Sequence, residues 1–195
     1  MLKYRPEIDS LRAIAILLVI FFHFNLFGVS GGFIGVDVFF VISGYLITNI
    51  IIDETNNNKF SFIKFYIRRF RRIIPALYTT IILSLVLGYL FFSPDHLTRL
   101  FNSTIYATSA FSNYFFWSEG SYFDFNKHFK PLLHTWSLSV ELQFYLIWPI
   151  LIWFFYKIFK KYTKYLVLIV AIISLLISAI YSHRADQYFY VTFFR

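Results

Sequence analysis

The stretch Leu11–Phe24, "LRAIAILLVIFFHF", decides the fold class. Ten apolar residues, Ala13–Phe22, run without a break and are followed at once by a histidine. The run reads as part of a membrane segment. Lipid offers an imidazole no hydrogen-bond partner, so His23 must face other protein or do chemistry.

Composition agrees with a membrane class. The 195 residues are 58% hydrophobic, 24% aromatic and only 14% charged, with a mean hydropathy of +0.63. A soluble domain does not reach that balance. Spanning takes about 20 mainly apolar residues, and five windows supply them: 13–29, 32–52, 73–92, 131–155 and 165–181. A sixth, 100–117, is weaker because Asn102, Ser103, Thr104, Thr108, Ser109, Ser112 and Asn113 interrupt it. The predicted fold is therefore all-α: a polytopic membrane helical bundle with five clear helices and one weak or re-entrant segment. Lys3 and Arg5 before an apolar run imitate a secretory signal, but Glu7 and Asp9 spoil a positive n-region, so the segment reads as a retained helix.

The net charge of +8 would suggest nucleic acid in a soluble protein. Here the basic residues fall between apolar windows, which is the positive-inside pattern, and no nucleic-acid partner is expected. Lys59, Lys64, Arg68, Arg69, Arg71 and Arg72 read as a cytoplasmic loop, which also puts the N-terminus inside. Lys157, Lys160, Lys161 and Lys164 form a second basic loop. Both loops share the cytoplasmic side only if 100–117 does not cross, so that segment reads as re-entrant or buried in protein. The absence of cysteine excludes disulfides and thiolate catalysis.

Four stretches carry chemistry. Arg12 and His23 are eleven residues apart, only about 20° off three full turns, so they share one helix face and lie roughly 16 Å apart along it. With Arg12 at the cytoplasmic boundary, His23 falls past the membrane midplane. In "GGFIGVDVFFVISGYLIT" (31–48), glycines permit close backbone approach and Asp37 sits just inside the boundary. That carboxylate either pairs with an arginine or orients an imidazole. In "FYIRRFRRIIPALY" (65–78), Arg69 and Arg72 share a face at a helix entrance, with Pro75 expected in the first turn. Two such guanidiniums suit a phosphate or pyrophosphate. In "HTWSLSVELQFYLIWP" (134–149), His134, Ser137 and Glu141 fall on one stripe of a membrane helix. A carboxylate near a histidine fixes its tautomer. No G-x-S-x-G elbow, H-E-x-x-H, Walker loop or metal-ligand spacing is present, and no metal or permanently bound cofactor is expected.

Together these stretches, in this order and spacing, resemble the membrane acyltransferase 3 family of O-antigen and peptidoglycan O-acetylases. "YRPEIDSLRAIAILLVIFFH" and "YFDFNKHFKPLLHTWSLSVELQFYLIWP" extend the match to nearly the whole chain. The resemblance implies an enzyme that takes an acyl group, usually acetyl from cytoplasmic acetyl-CoA, and esterifies a hydroxyl of an envelope glycan such as lipopolysaccharide O-antigen, exopolysaccharide or peptidoglycan. It implies a bacterial cytoplasmic-membrane location. The family's Arg-x10-His falls on Arg12 and His23, its Arg-x-x-Arg on Arg69 and Arg72, and its Trp-Ser-Leu-x-x-Glu on Trp136, Ser137, Leu138 and Glu141. His23, Glu141 and Asp37 are the implied catalytic residues; Arg12, Arg69, Arg72, His134, Trp136 and Ser137 are the implied binding residues. Family members often carry a second glutamate where this chain has Leu142. Family domains have about ten spanning helices, and many add a periplasmic hydrolase-like domain. Residues 1–195 thus read as the truncated N-terminal part of one acyltransferase domain. A proton-coupled transporter would also use intramembrane His, Asp and Glu, but has no need of an arginine pair; a non-catalytic descendant would keep the motifs alone.

Overall fold

The computed structural model describes residues 5–120 and 130–180, all of whose regular structure is helical. Seven α-helices follow one another: α1 (Pro6–His23), α2 (Ile34–Asn56), α3 (Phe62–Phe91), α4 (Pro94–Thr108), α5 (Ser112–Ser118), α6 (Thr135–Ile158) and α7 (Thr163–Ile180). Four helical stretches are long and apolar enough to cross a membrane: α2, α3, α6, and α7 with the short 3-10 turn before it. The protein is a multi-pass all-α membrane bundle. Lys3, the "YFDFNKHF" stretch of the fourth motif and the last residue of window 165–181 lie outside the described residues.

Five boundaries differ from the expected ones, each for a physical reason. The helix of window 13–29, α1, starts earlier, at Pro6, whose fixed φ suits a first turn. It ends at His23, because Asn25, Phe27 and Gly28 take positive φ in the turns that follow. Glu7, Asp9 and Arg12 sit on it, so its uninterrupted apolar part is only Ala13–Phe22. The loop expected between Asp53 and Arg72 is mostly helix: only residues 57–61 separate α2 from α3. Lys64 and the four arginines alternate with Phe65, Tyr66 and Phe70 at helical spacing, and that periodicity outweighs the charge. Pro75 accordingly sits deep inside α3. The weak segment 100–117 is two helices, α4 and α5, broken where Ala110 adopts φ 61°. Finally, α6 begins at Thr135, leaving His134 in the preceding turn.

The described chain forms two compact units. One gathers the residues up to Phe60 with Trp148–Lys164; the other gathers Ser61–Ile147 with the residues from Tyr165 on. In the first unit α1 and α2 pack backbone to backbone. A methyl group built on Gly32 would lie 2.1 Å from the Leu18 carbonyl, and one on Gly35 would lie 2.4 Å from that of Ala15. Glycine is required here because the helices touch where a Cβ would stand. Also in this unit, Trp148 Nε1–H donates to Thr48 Oγ1 at 2.8 Å and the Tyr156 hydroxyl donates to Asn56 Oδ1 at 2.9 Å. The two steps, Thr48 to Asn56 and Trp148 to Tyr156, are equal and in the same sense, so α2 and α6 run parallel. Their C-terminal ends, with Lys59 beyond one and Lys157 and Lys160 at the other, emerge on one membrane face.

In the second unit the helix break at Ala110 is satisfied by α6. Gln143 donates to the Ala110 carbonyl at 2.8 Å and to Asn113 Oδ1 at 2.9 Å, while the buried Ser112 and Ser139 hydroxyls meet at 2.7 Å. Such internal partners are what a helix break inside a membrane bundle requires. Glu119 pairs with Arg99 and, at 3.4 Å, with Lys130.

Candidate active site

The first unit holds Arg12, His23 and Asp37. Arg12 pairs with Asp9 at 3.5 Å, one turn back on α1. His23 is the last residue of α1 and is exposed. Its Nδ1 lies 2.7 Å from the Val19 carbonyl oxygen. A carbonyl only accepts, so Nδ1 carries the proton and the ring's lone pair is on Nε2. The glycine contacts fix the register of the hairpin: Gly32 meets Leu18 and Phe22, and Gly35 meets Ala15 and Val19. Continued by two residues, this register sets Asp37 level with Ala15 along the axis.

The second unit holds Arg69, Arg72, His134, Trp136, Ser137 and Glu141. Arg69 and Arg72 lie well inside α3, not at a helix entrance. Arg72 is exposed, whereas Arg69 is half-buried against α6. Its guanidinium carbon stands 5.6 Å from the Phe65 ring centroid and 5.7 Å from that of Tyr145, and it feels the charges of Glu141 and Arg72. Tyr145 donates its hydroxyl proton to Glu141 Oε1. One helical turn away Tyr66 donates to the Leu146 carbonyl at 3.0 Å. The cluster Arg69–Tyr145–Glu141 therefore bridges α3 and α6. Tyr145 lies about 15 Å from the start of α6 and about 20 Å from its end. An arginine and a glutamate drawn into a contact between two apolar helices are costly to desolvate and mark a candidate functional site.

His134 is exposed in the turn before α6, and the Ser137 hydroxyl donates to the His134 carbonyl at 3.2 Å. Trp136 is 2% exposed and belongs to the core. Sequence reasoning missed Tyr145 and Tyr66. Tyr145 carried a legible signal, its i, i+4 spacing from Glu141; Tyr66, whose partner is a backbone carbonyl on another helix, carried none. Among the described residues no three His, Asp or Glu side chains converge as a metal site would require.

The family model described as "Acyltransferase domain" matches residues 5–195. The chain belongs to the acyltransferase 3 family. It is 46% identical over 164 residues, 83% of its length, to the peptidoglycan O-acetyltransferase OatA of Listeria monocytogenes. It is 40% identical over 159 residues, 81% of its length, to the O-acetyltransferase OatA of Staphylococcus aureus. The matched part is 26% of each of these relatives, so the chain spans about a quarter of their length. No solved structure matches.

Proposed function

We propose that this chain serves an O-acyltransferase that moves an acyl group, acetyl in the simplest case, from cytoplasmic acyl-CoA to a hydroxyl of an envelope glycan. The names of the relatives favour peptidoglycan as that glycan. The observation that carries the reading is the Arg69–Tyr145–Glu141 cluster between α3 and α6: a guanidinium held against two aromatic rings, one of them hydrogen-bonded to a carboxylate, has its geometry set before any ligand arrives. Arg69 and Arg72 draw the phosphate-bearing donor into the bundle. Glu141 and Tyr145 position Arg69. His23, whose lone pair is on Nε2, takes the proton of the sugar hydroxyl as its oxygen attacks the thioester carbonyl. The new C–O bond forms, the C–S bond breaks, and the proton passes from the imidazole to the departing coenzyme A thiolate. Positive-inside bias places the N-terminus and the ends of α2 and α6 in the cytoplasm, with the bundle in the bacterial cytoplasmic membrane. A periplasmic domain would act beyond the opposite face.

The test is Arg69→Lys, assayed as coenzyme A release from acetyl-CoA with a glycan acceptor in membranes. Lysine keeps the charge but loses the planar fork. Loss of one charge-assisted contact, about 1.5–3 kcal/mol, raises the apparent KM for acetyl-CoA roughly ten- to a hundredfold at unchanged expression. An unchanged KM with altered topology would return the arginines to a topogenic role.

A further inference from the structure

A second feature lies in the first unit, apart from every residue given a role above. A cavity of about 420 Å³ opens where α2 and α6 end, lined by Thr55, Asn56, Asn58, Phe60, Trp153, Tyr156, Lys157 and Lys160. Its chemistry is selective. Two ammonium groups line it and no carboxylate does. Lys157 Nζ stands 4.9 Å from the Trp153 ring centroid and Lys160 Nζ stands 5.5 Å from that of Tyr156, so the aromatic faces hold both cations in place. Neither lysine forms an ion pair among the described residues. Tyr156 is itself anchored by its bond to Asn56.

A bland explanation exists: lysines near helix C-termini offset the helix dipole. The magnitudes argue against that as the whole account. Two helix ends contribute about −0.5 charge each, and the two lysines contribute twice that in the opposite sense, which leaves a net positive cavity. The Thr55 hydroxyl adds a donor. It is buried with no hydrogen-bond partner among the described residues, on a residue that lines the cavity.

We infer that this cavity binds an organic phosphate through Lys157 and Lys160, with Asn56, Asn58 and Thr55 supplying neutral hydrogen bonds. Two sources carry that chemistry at a membrane face: a soluble nucleotide phosphate, such as the 3′-phosphoadenosine diphosphate end of coenzyme A, and an anionic phospholipid headgroup. The chemistry of the site stands on the cavity alone; only its assignment to the cytoplasmic face rests on the topology proposed above.

The test uses the whole chain in nanodiscs. One arm titrates adenosine 3′,5′-bisphosphate into neutral phosphatidylcholine discs. The other adds phosphatidylglycerol and counts retained anionic lipid by native mass spectrometry. At least one probe should bind, more weakly as salt rises. Lys157→Gln with Lys160→Gln should weaken it about tenfold or more, since contacts to charged groups are worth at least that factor. The double arginine variant, Lys157→Arg with Lys160→Arg, should bind, which shows that the site and not the fold was lost. The charge-matched pair Lys161→Gln with Lys164→Gln, whose residues do not line the cavity, should bind like the parent. Binding of the nucleotide alone assigns the site to a soluble ligand, and retention of the lipid alone assigns it to the headgroup. Failure of both probes, or equal loss in the two glutamine pairs, overturns the inference. Because no acyl transfer is measured, this result and that of the Arg69 test can fail separately.

Discussion

Two helix pairs in this protein hold together by opposite means. The α1–α2 hairpin is a backbone contact: Gly32 and Gly35 let two helices approach until a single Cβ would collide. The α3–α6 contact is made by long side chains, with Arg69 reaching across to Tyr145, which itself holds Glu141, and Tyr66 to a carbonyl of α6. Membranes leave no hydrophobic drive for helix pairing, so close packing and polar contacts are the two remaining options. The first option is rigid and chemically silent. The second places charge inside the bundle, which is costly unless the charge is used. The comparison thus assigns scaffold to one pair and chemistry to the other, with His23 as the exception at the end of the scaffold.

That exception gives the largest expected effect. His23→Ala should lower glycan O-acylation about 10²- to 10⁴-fold, the usual worth of a general base, with membrane insertion intact because the segment becomes more apolar. O-acylation measured at near the parent level would reduce α1 to scaffold throughout and make the comparison absolute.

Next comes the hairpin itself. Gly32→Val should destabilise the protein by about 3 kcal/mol, since the added group meets backbone and the clash cannot be relieved by a rotamer change. Gly31→Ala is its control: a methyl group there meets only Ile34 Cδ1, at 3.9 Å, and should change stability by less than about 0.5 kcal/mol. Thermal unfolding in detergent reads both, and similar values for the two would show that the close contact is not what holds the pair.

The smallest effect sharpens the other side. Tyr145→Phe removes the hydroxyl that Glu141 accepts and keeps the ring under Arg69. Donor use should weaken about tenfold, the worth of one hydrogen bond to a charged group, with little change in thermal stability. A stability loss equal to that of Gly32→Val would mean that the α3–α6 cluster is scaffold as well.

Legibility in the sequence followed the kind of signal each region carries. The windows for α2, α6 and α7 were marked by hydrophobic length alone, and the helices observed begin or end within a few residues of them. The start of α3 was obscured because Arg68, Arg69, Arg71 and Arg72 look like a loop if charge is read before period. Arg69 and Glu141 could be singled out individually as costly charges, but their partnership through Tyr145 joins residues on separate helices. The i, i+4 relation of Glu141 and Tyr145 was readable; the approach of α3 to it was not. The helix that follows His134 begins four residues later than hydropathy suggests, so His134 falls in the turn before it.

By itself the sequence determined the class, the family and the identity of the expensive residues, because hydropathy, charge and motif spacing are local quantities that any fold of the chain must respect. Only the tertiary structure decided which of those residues meet. Parallel running of α2 and α6 depends on Trp148 finding Thr48 and Tyr156 finding Asn56, each 100 positions away. The lysine-lined cavity exists because the same two helices end together. Such pairings are set by packing summed over whole helices, where a shift of one residue turns a side chain by about 100° and changes its partner.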